Sequence, residues 1–131
     1  MNLLLDTQAL LWWKAANRKL GRRARRAIET GAGTVRVSAA SAWEIATKTR
    51  TGRLTLAEPL HTWLPDQLER DGFLMLNVTV PHAVAVAFLP DHHHDPFDRL
   101  LVAQARAEGL TLVTSDAVFD AYGVQVLDAR A

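Results

Sequence analysis

The chain alternates short, wholly apolar runs with longer segments in which apolar residues recur every three or four positions. Residues 2–5 contain Leu3, Leu4 and Leu5, the signature of a strand buried on both faces. Residues 7–15 follow as a helix with Leu10, Leu11 and Trp13 at apolar positions, and residues 20–30 as a second, with Leu20, Ala24, Ala27 and Ile28 on one face. Gly31 and Gly33 end that helix. Residues 34–37 predict a second strand, after which Ser38 can cap a helix running through Trp43, Ile45 and Ala46 towards Gly52. Residues 54–57 fit neither pattern. From Pro59, the positions Leu60, Trp63, Leu64 and Leu68 predict a helix closed by Gly72, then a strand over 73–78 and a short, largely apolar helix over 81–89. Asp95, Pro96, Phe97 and Asp98 open a strong helix stopped by Gly109. Residues 110–114 are a fourth strand, 117–121 a short helix and 124–127 a closing strand. Strands alternating with helices predict an α/β fold with a mostly parallel sheet covered on both faces.

At 131 residues and 49% apolar, the chain matches one domain spanning 1–131 with a core that needs no covalent staple. No repeat or linker divides it. Cysteine is absent, so any metal must bind oxygen or imidazole. The first apolar run is interrupted by Asp6 too early for a signal-peptide core or a membrane span, so a cytoplasmic protein with no membrane partner is expected. The net charge of +1 hides an uneven distribution: Arg18, Lys19, Arg22, Arg23, Arg25 and Arg26 cluster, as do Lys48, Arg50 and Arg53. Such clusters are commonly solvated faces, but a polyanion would find Arg22, Arg23, Arg25, Arg26 and Lys48 ready contacts.

Four acids stand out against this frame. Asp6 and Asp116 directly follow strand-like runs, where an open parallel sheet binds ligands, and Glu44 and Asp98 occupy early turns of helices entered from the same edge. Each has a plainer reading. Asp6 and Asp116 are natural N-caps, Glu44 can close a capping box with Ser41 or pair with Lys48, and Asp98 stands third in a helix capped by Asp95. Their conjunction points further, because converging carboxylates repel unless a cation or a proton compensates them. Mg²⁺ or Mn²⁺ suits oxygen ligands and is the usual equipment of phosphodiester hydrolysis. The run His92, His93, His94 reads as a polar loop, since adjacent histidines point different ways. Trp12, Trp13, Trp43 and Trp63 fall on helices, where core or interface packing is expected before base stacking. No Gly-rich phosphate loop, Ser-His-Asp order or dinucleotide fingerprint is present, and Gln8 stands where a haloacid-dehalogenase-like phosphatase needs its second Asp.

Four ordered stretches carry a resemblance: Leu3 to Leu10 around Asp6, Ser38 to Ile45 around Glu44, His94 to Leu101 around Asp98, and Leu112 to Asp116. Together they resemble the successive motifs of PIN-domain proteins, in particular the VapC-like toxins of type II toxin–antitoxin systems. The resemblance implies a PIN-like α/β/α sandwich and an Mg²⁺- or Mn²⁺-dependent endoribonuclease. It implies Asp6, Asp98 and Asp116 as metal ligands and Glu44 as the helix acid of the catalytic set. Asp95 is assigned to capping or support, and Thr7, Thr114 and Ser115 match positions where hydroxyls support the site. A homodimer and a cognate antitoxin are further implications. A non-catalytic PIN-like module binding RNA or protein is the competing expectation.

Overall fold

A computed structural model describes residues 1–30, 33–91 and 95–131, so Gly31 and the histidine run His92 to His94 lie outside the described residues. The five strands are β1 (Leu3–Leu5), β2 (Val35–Ser38), β3 (Leu74–Leu76), β4 (Thr111–Thr114) and β5 (Val126–Asp128). They form one parallel sheet in the order β3-β2-β1-β4-β5. Strand β1 is central, with Leu5 in register with Val37 on one side and Val113 on the other. The helices are α1 (Thr7–Lys14), α2 (Arg22–Thr30), α3 (Ala39–Arg50), α4 (Leu60–Asp71), α5 (Val80–Ala85) and α6 (Pro96–Glu108). Two 3-10 segments, Val86–Phe88 and Ala117–Tyr122, complete the described structure. Among the described residues no helix is long and apolar enough to cross a membrane.

Side chains alternate across the sheet and so divide the core into two layers. Leu3, Leu5, Val35, Val37 and Val113 pack beneath Leu10, Trp12, Ala24, Ile28, Ile45, Leu64 and Leu68 from α1, α2, α3 and α4. Leu4 and Leu112 face the opposite way, towards Leu101, Val102 and Ala105 of α6 and towards Phe119 and Tyr122. That second layer contains a buried polar knot. Gln104, with no exposed surface, accepts from the Ser38 hydroxyl (2.5 Å) and donates to the Asn77 carbonyl (3.2 Å). Its amide nitrogen also lies 3.4 Å from Nδ1 of His82, which accepts the Thr79 N–H in the capping box of α5. The knot ties the ends of β2 and β3 to α5 and α6.

Local signals explain most of the boundaries. Asp95 caps α6 with Pro96 in its first turn, and Gly109 closes it at φ 64°. Gly21 is required by close approach: a Cβ there would lie 1.9 Å from the Ala131 carbonyl oxygen. That carbonyl accepts the N–H groups of Arg23 and Ala24 and so satisfies the start of α2. The strand expected over 73–78 shrinks to three residues and the one over 124–127 moves to Val126–Asp128, and both are edge strands with a single partner. The apolar segment over 81–89 becomes α5 and a 3-10 turn and leaves Val80, Val84 and Phe88 exposed in a row spaced four residues apart.

Candidate active site

Because every strand is parallel, the ends of β1, β2 and β4 share one edge, and the residues following them meet there. Asp6 leaves β1 and caps α1, accepting the Ala9 N–H at 2.7 Å, and it is only 7% exposed. A carboxylate has lone pairs beyond the one used for the cap, so capping and binding are compatible. Burial pushes the Asp6 carboxyl up to about 6. The Thr114 hydroxyl and the Ala9 N–H act in the opposite direction, while the neighbouring charges of Glu44 and Asp116 add to the rise. Three of the four expected acids are therefore electrostatically joined at this edge.

Asp116 follows β4 and caps the 3-10 segment through the Val118 N–H (3.0 Å), with its carboxylate exposed. Its own N–H donates to Thr114 Oγ1 at 3.2 Å, so the buried Thr114 links the backbone of one acid to the carboxylate of the other. Glu44 lies on α3 and pairs with Lys48 at 3.3 Å. The Ser41–Glu44 capping box does not form. Ser38 takes the cap by accepting the Ala40 N–H, and Ser41 is turned inward to accept the Thr7 hydroxyl at 3.0 Å. Thr7 thus braces α1 against α3.

Asp98 is half-buried in the first turn of α6, with its N–H on Asp95 Oδ1 (3.3 Å). Asp95 also accepts the Phe97 N–H at 2.8 Å, which makes it the cap the sequence suggested. Helix α6 ends where β4 begins, so its first turn stands at the carboxyl edge. Ser115 is half-buried at the bend after β4 and makes no side-chain hydrogen bond among the described residues. Arg99, which the sequence did not single out, ties α6 to the preceding loop by donating to the carbonyls of Val86, Leu89 and Pro90.

Among the described residues no three acids or histidines stand together as a ready-made metal cage. Mg²⁺ needs no such cage, since it is usually held by one or two carboxylates and its own waters. The hard oxygen donors of Asp6 and its acidic neighbours fit that ion.

Helix α2, which carries the arginines, begins at the same edge. The Gly21 N–H donates to Ala129 and the Ala129 N–H to Thr114, which sets the start of α2 beside the end of β5. Arg22, Arg23 and Arg26 form no ion pair among the described residues. Arg25 lies over the Trp13 ring at 5.7 Å. The tryptophans divide: Trp12 is buried and Trp13 and Trp63 half-buried, as expected of packing residues. Trp43 departs from that expectation, because it is 63% exposed.

This arrangement matches a known family model. The PIN domain model aligns with residues 3–125. The chain belongs to the PIN-domain family. It is 36% identical over 114 residues to Ribonuclease VapC22 of Mycobacterium tuberculosis, a match covering 87% of this chain and 86% of that protein. Within PIN domains it is accordingly VapC-like. The same fold recurs in solved structures. VapBC2 from Rickettsia felis, bound to a promoter DNA fragment, superposes with a TM-score of 0.71 at 16% identity, covering 97% of this chain and 98% of that one. DNA-bound VapBC from Salmonella typhimurium gives 0.68 at 17% identity, covering 98% of each chain. The all-parallel sheet between helical layers is the PIN-like α/β/α sandwich expected from the motifs.

Proposed function

We propose that this PIN domain is the ribonuclease toxin of a toxin–antitoxin pair, cleaving RNA phosphodiester bonds with Mg²⁺ or Mn²⁺ held by Asp6, Asp98 and Asp116. The observation that carries this reading is Asp6 itself, a carboxyl buried at the end of the central strand with Glu44 and Asp116 near enough to raise it further. Likeness to a named ribonuclease supports the reaction class. A divalent ion bound there supplies Lewis acidity towards the phosphoryl oxygen and acidifies an attacking water. Asp6 stays part-protonated near pH 6 until a cation favours its ionised form. Glu44, held by its ion pair with Lys48, is the group placed to accept the proton of the attacking water, and the leaving oxygen takes a proton back from solvent. Lys48 and the arginines of α2 meet neighbouring phosphates.

The partners follow from the same reading. An antitoxin partner is supported by the likeness to VapBC complexes, and a homodimer by the exposed row Val80, Val84 and Phe88.

Incubation of purified protein with single-stranded RNA and Mn²⁺ tests the proposal. Cleavage should occur, stop in excess EDTA, and fall by orders of magnitude in Asp6→Asn, Glu44→Gln, Asp98→Asn and Asp116→Asn. Persistence in EDTA refutes the metal mechanism, and binding without cleavage favours a non-catalytic module. Asp95→Asn should be milder than Asp98→Asn, and equal damage with intact helix content would reverse that assignment. Replacing Arg22 and Arg26 together should flatten the salt dependence of RNA affinity by about 1.4 in slope.

A further inference from the structure

Trp43 and Phe97 stand on the two helices that carry Glu44 and Asp98 and take no part in the acid chemistry. They come from different helices, α3 and α6, and meet edge to face with ring centroids 4.8 Å apart. Each directly precedes an acid in the chain, Trp43 before Glu44 and Phe97 before Asp98. Tryptophan is normally withdrawn from water, and the other three are at least half-buried, yet Trp43 keeps 63% of its surface exposed. The contact with Phe97 fixes the indole in place without covering it, giving a rigid flat apolar surface beside charged groups that face a polyanion.

We infer that Trp43, braced by Phe97, is a positioning residue on which an unpaired base of the RNA stacks while the adjoining phosphate lies at the acids. The inference rests on the ribonuclease reading and adds a substrate preference to it. Phosphate contacts alone do not distinguish single strands from duplex, whereas an aromatic platform engages only a base free to leave its stack. Stacking also tolerates any base, so the platform selects for unpaired RNA without strong sequence choice. A second copy of the chain seated on the same patch is the rival occupant.

The test uses full-length Asp6→Asn protein, so that RNA survives, and short single-stranded RNAs carrying 2-aminopurine at successive positions. Fluorescence should be quenched at one or two adjacent positions on binding. Adding Trp43→Ala should abolish the quench and weaken affinity about tenfold, while Trp43→Phe should retain most of both. With Asp6 intact, Trp43→Ala should raise KM about tenfold and leave kcat near wild type. Unchanged quench and KM in Trp43→Ala, with normal cleavage, overturn the platform and leave the nuclease reading standing. Quenching that depends on Trp43 in a protein that never cleaves upholds the platform and removes the nuclease reading. Absence of any RNA binding overturns both. A shift from dimer to monomer in sedimentation, with the quench unchanged, assigns Trp43 to the contact between copies and also overturns the platform.

Discussion

Strands β1 and β4 lie side by side and end alike, each delivering an aspartate that caps the helical turn after it. The two aspartates nonetheless have different chemistry. Asp6 enters α1, which packs on the sheet and leaves the carboxyl 7% exposed, while Asp116 enters a 3-10 segment and remains in water. Depth is the largest difference between them, because capping is common to both. The buried cap carries an electrostatic strain, and a cation placed beside Asp6 would relieve it.

The largest effect that can break this comparison is on stability without metal. The Asp6 carboxyl sits near 6 in the fold against 3.8 ordinarily, so its charge destabilises the native state fully above pH 6 and not at all below pH 3.8. Stability should fall as pH rises through that window, by on the order of 3 kcal/mol. Asp6→Asn, which can still cap, should therefore melt several degrees higher than wild type in EDTA at pH 7.5 and no higher at pH 3.5. Asp116→Asn should stay within about 0.5 kcal/mol of wild type. Thermal melts of the three proteins across pH decide it, and a pH-independent loss in Asp6→Asn would mean that the cap outweighs the buried charge.

A somewhat smaller effect follows from adding Mn²⁺. At a hundredfold excess over Kd, native-state binding should stabilise wild type by about 2.7 kcal/mol. Asp6→Asn should lose most of that gain and Asp116→Asn part of it. Equal shifts in wild type and Asp6→Asn would remove Asp6 from the principal ligands.

The smallest effect probes the hydroxyl between the two acids. Thr114 favours the ionised form of Asp6, so Thr114→Val should move that carboxyl still further up. The pH–rate profile of cleavage should shift to higher pH, with activity converging on wild type at the alkaline end. An unmoved profile would assign Thr114 to holding the Asp116 backbone alone.

Much of this was legible in the sequence because the signals are local. Asp95-Pro96 and Gly109 mark α6 from both ends, and Leu3 to Leu5 declare a strand buried on both faces. The ordered motifs point to Asp6, Glu44 and Asp116, which the fold brings to one edge. What depended on distant parts of the chain was not legible. Ser41 reads as the start of a capping box with Glu44, but Thr7, 34 residues away, claims its hydroxyl. Trp43 reads as a packing residue because helical spacing cannot reveal that it stays exposed where it meets Phe97. The depth of Asp6 relative to Asp116 likewise comes from which element follows each strand.

Gln104 has a mechanical consequence. A helix resting on a smooth apolar sheet can roll about its own axis at little energetic expense, as a log rolls on a plank. The amide of Gln104 grips the Ser38 hydroxyl with one end and the Asn77 carbonyl with the other, so any roll of α6 strains two anchors at once. Phe97 lies two helical turns up the same face, next to Asp98. The aim of the first turn is thus keyed from below by a side chain that never meets RNA, and isosteric Gln104→Glu offers a way to detune the edge without altering any group on it.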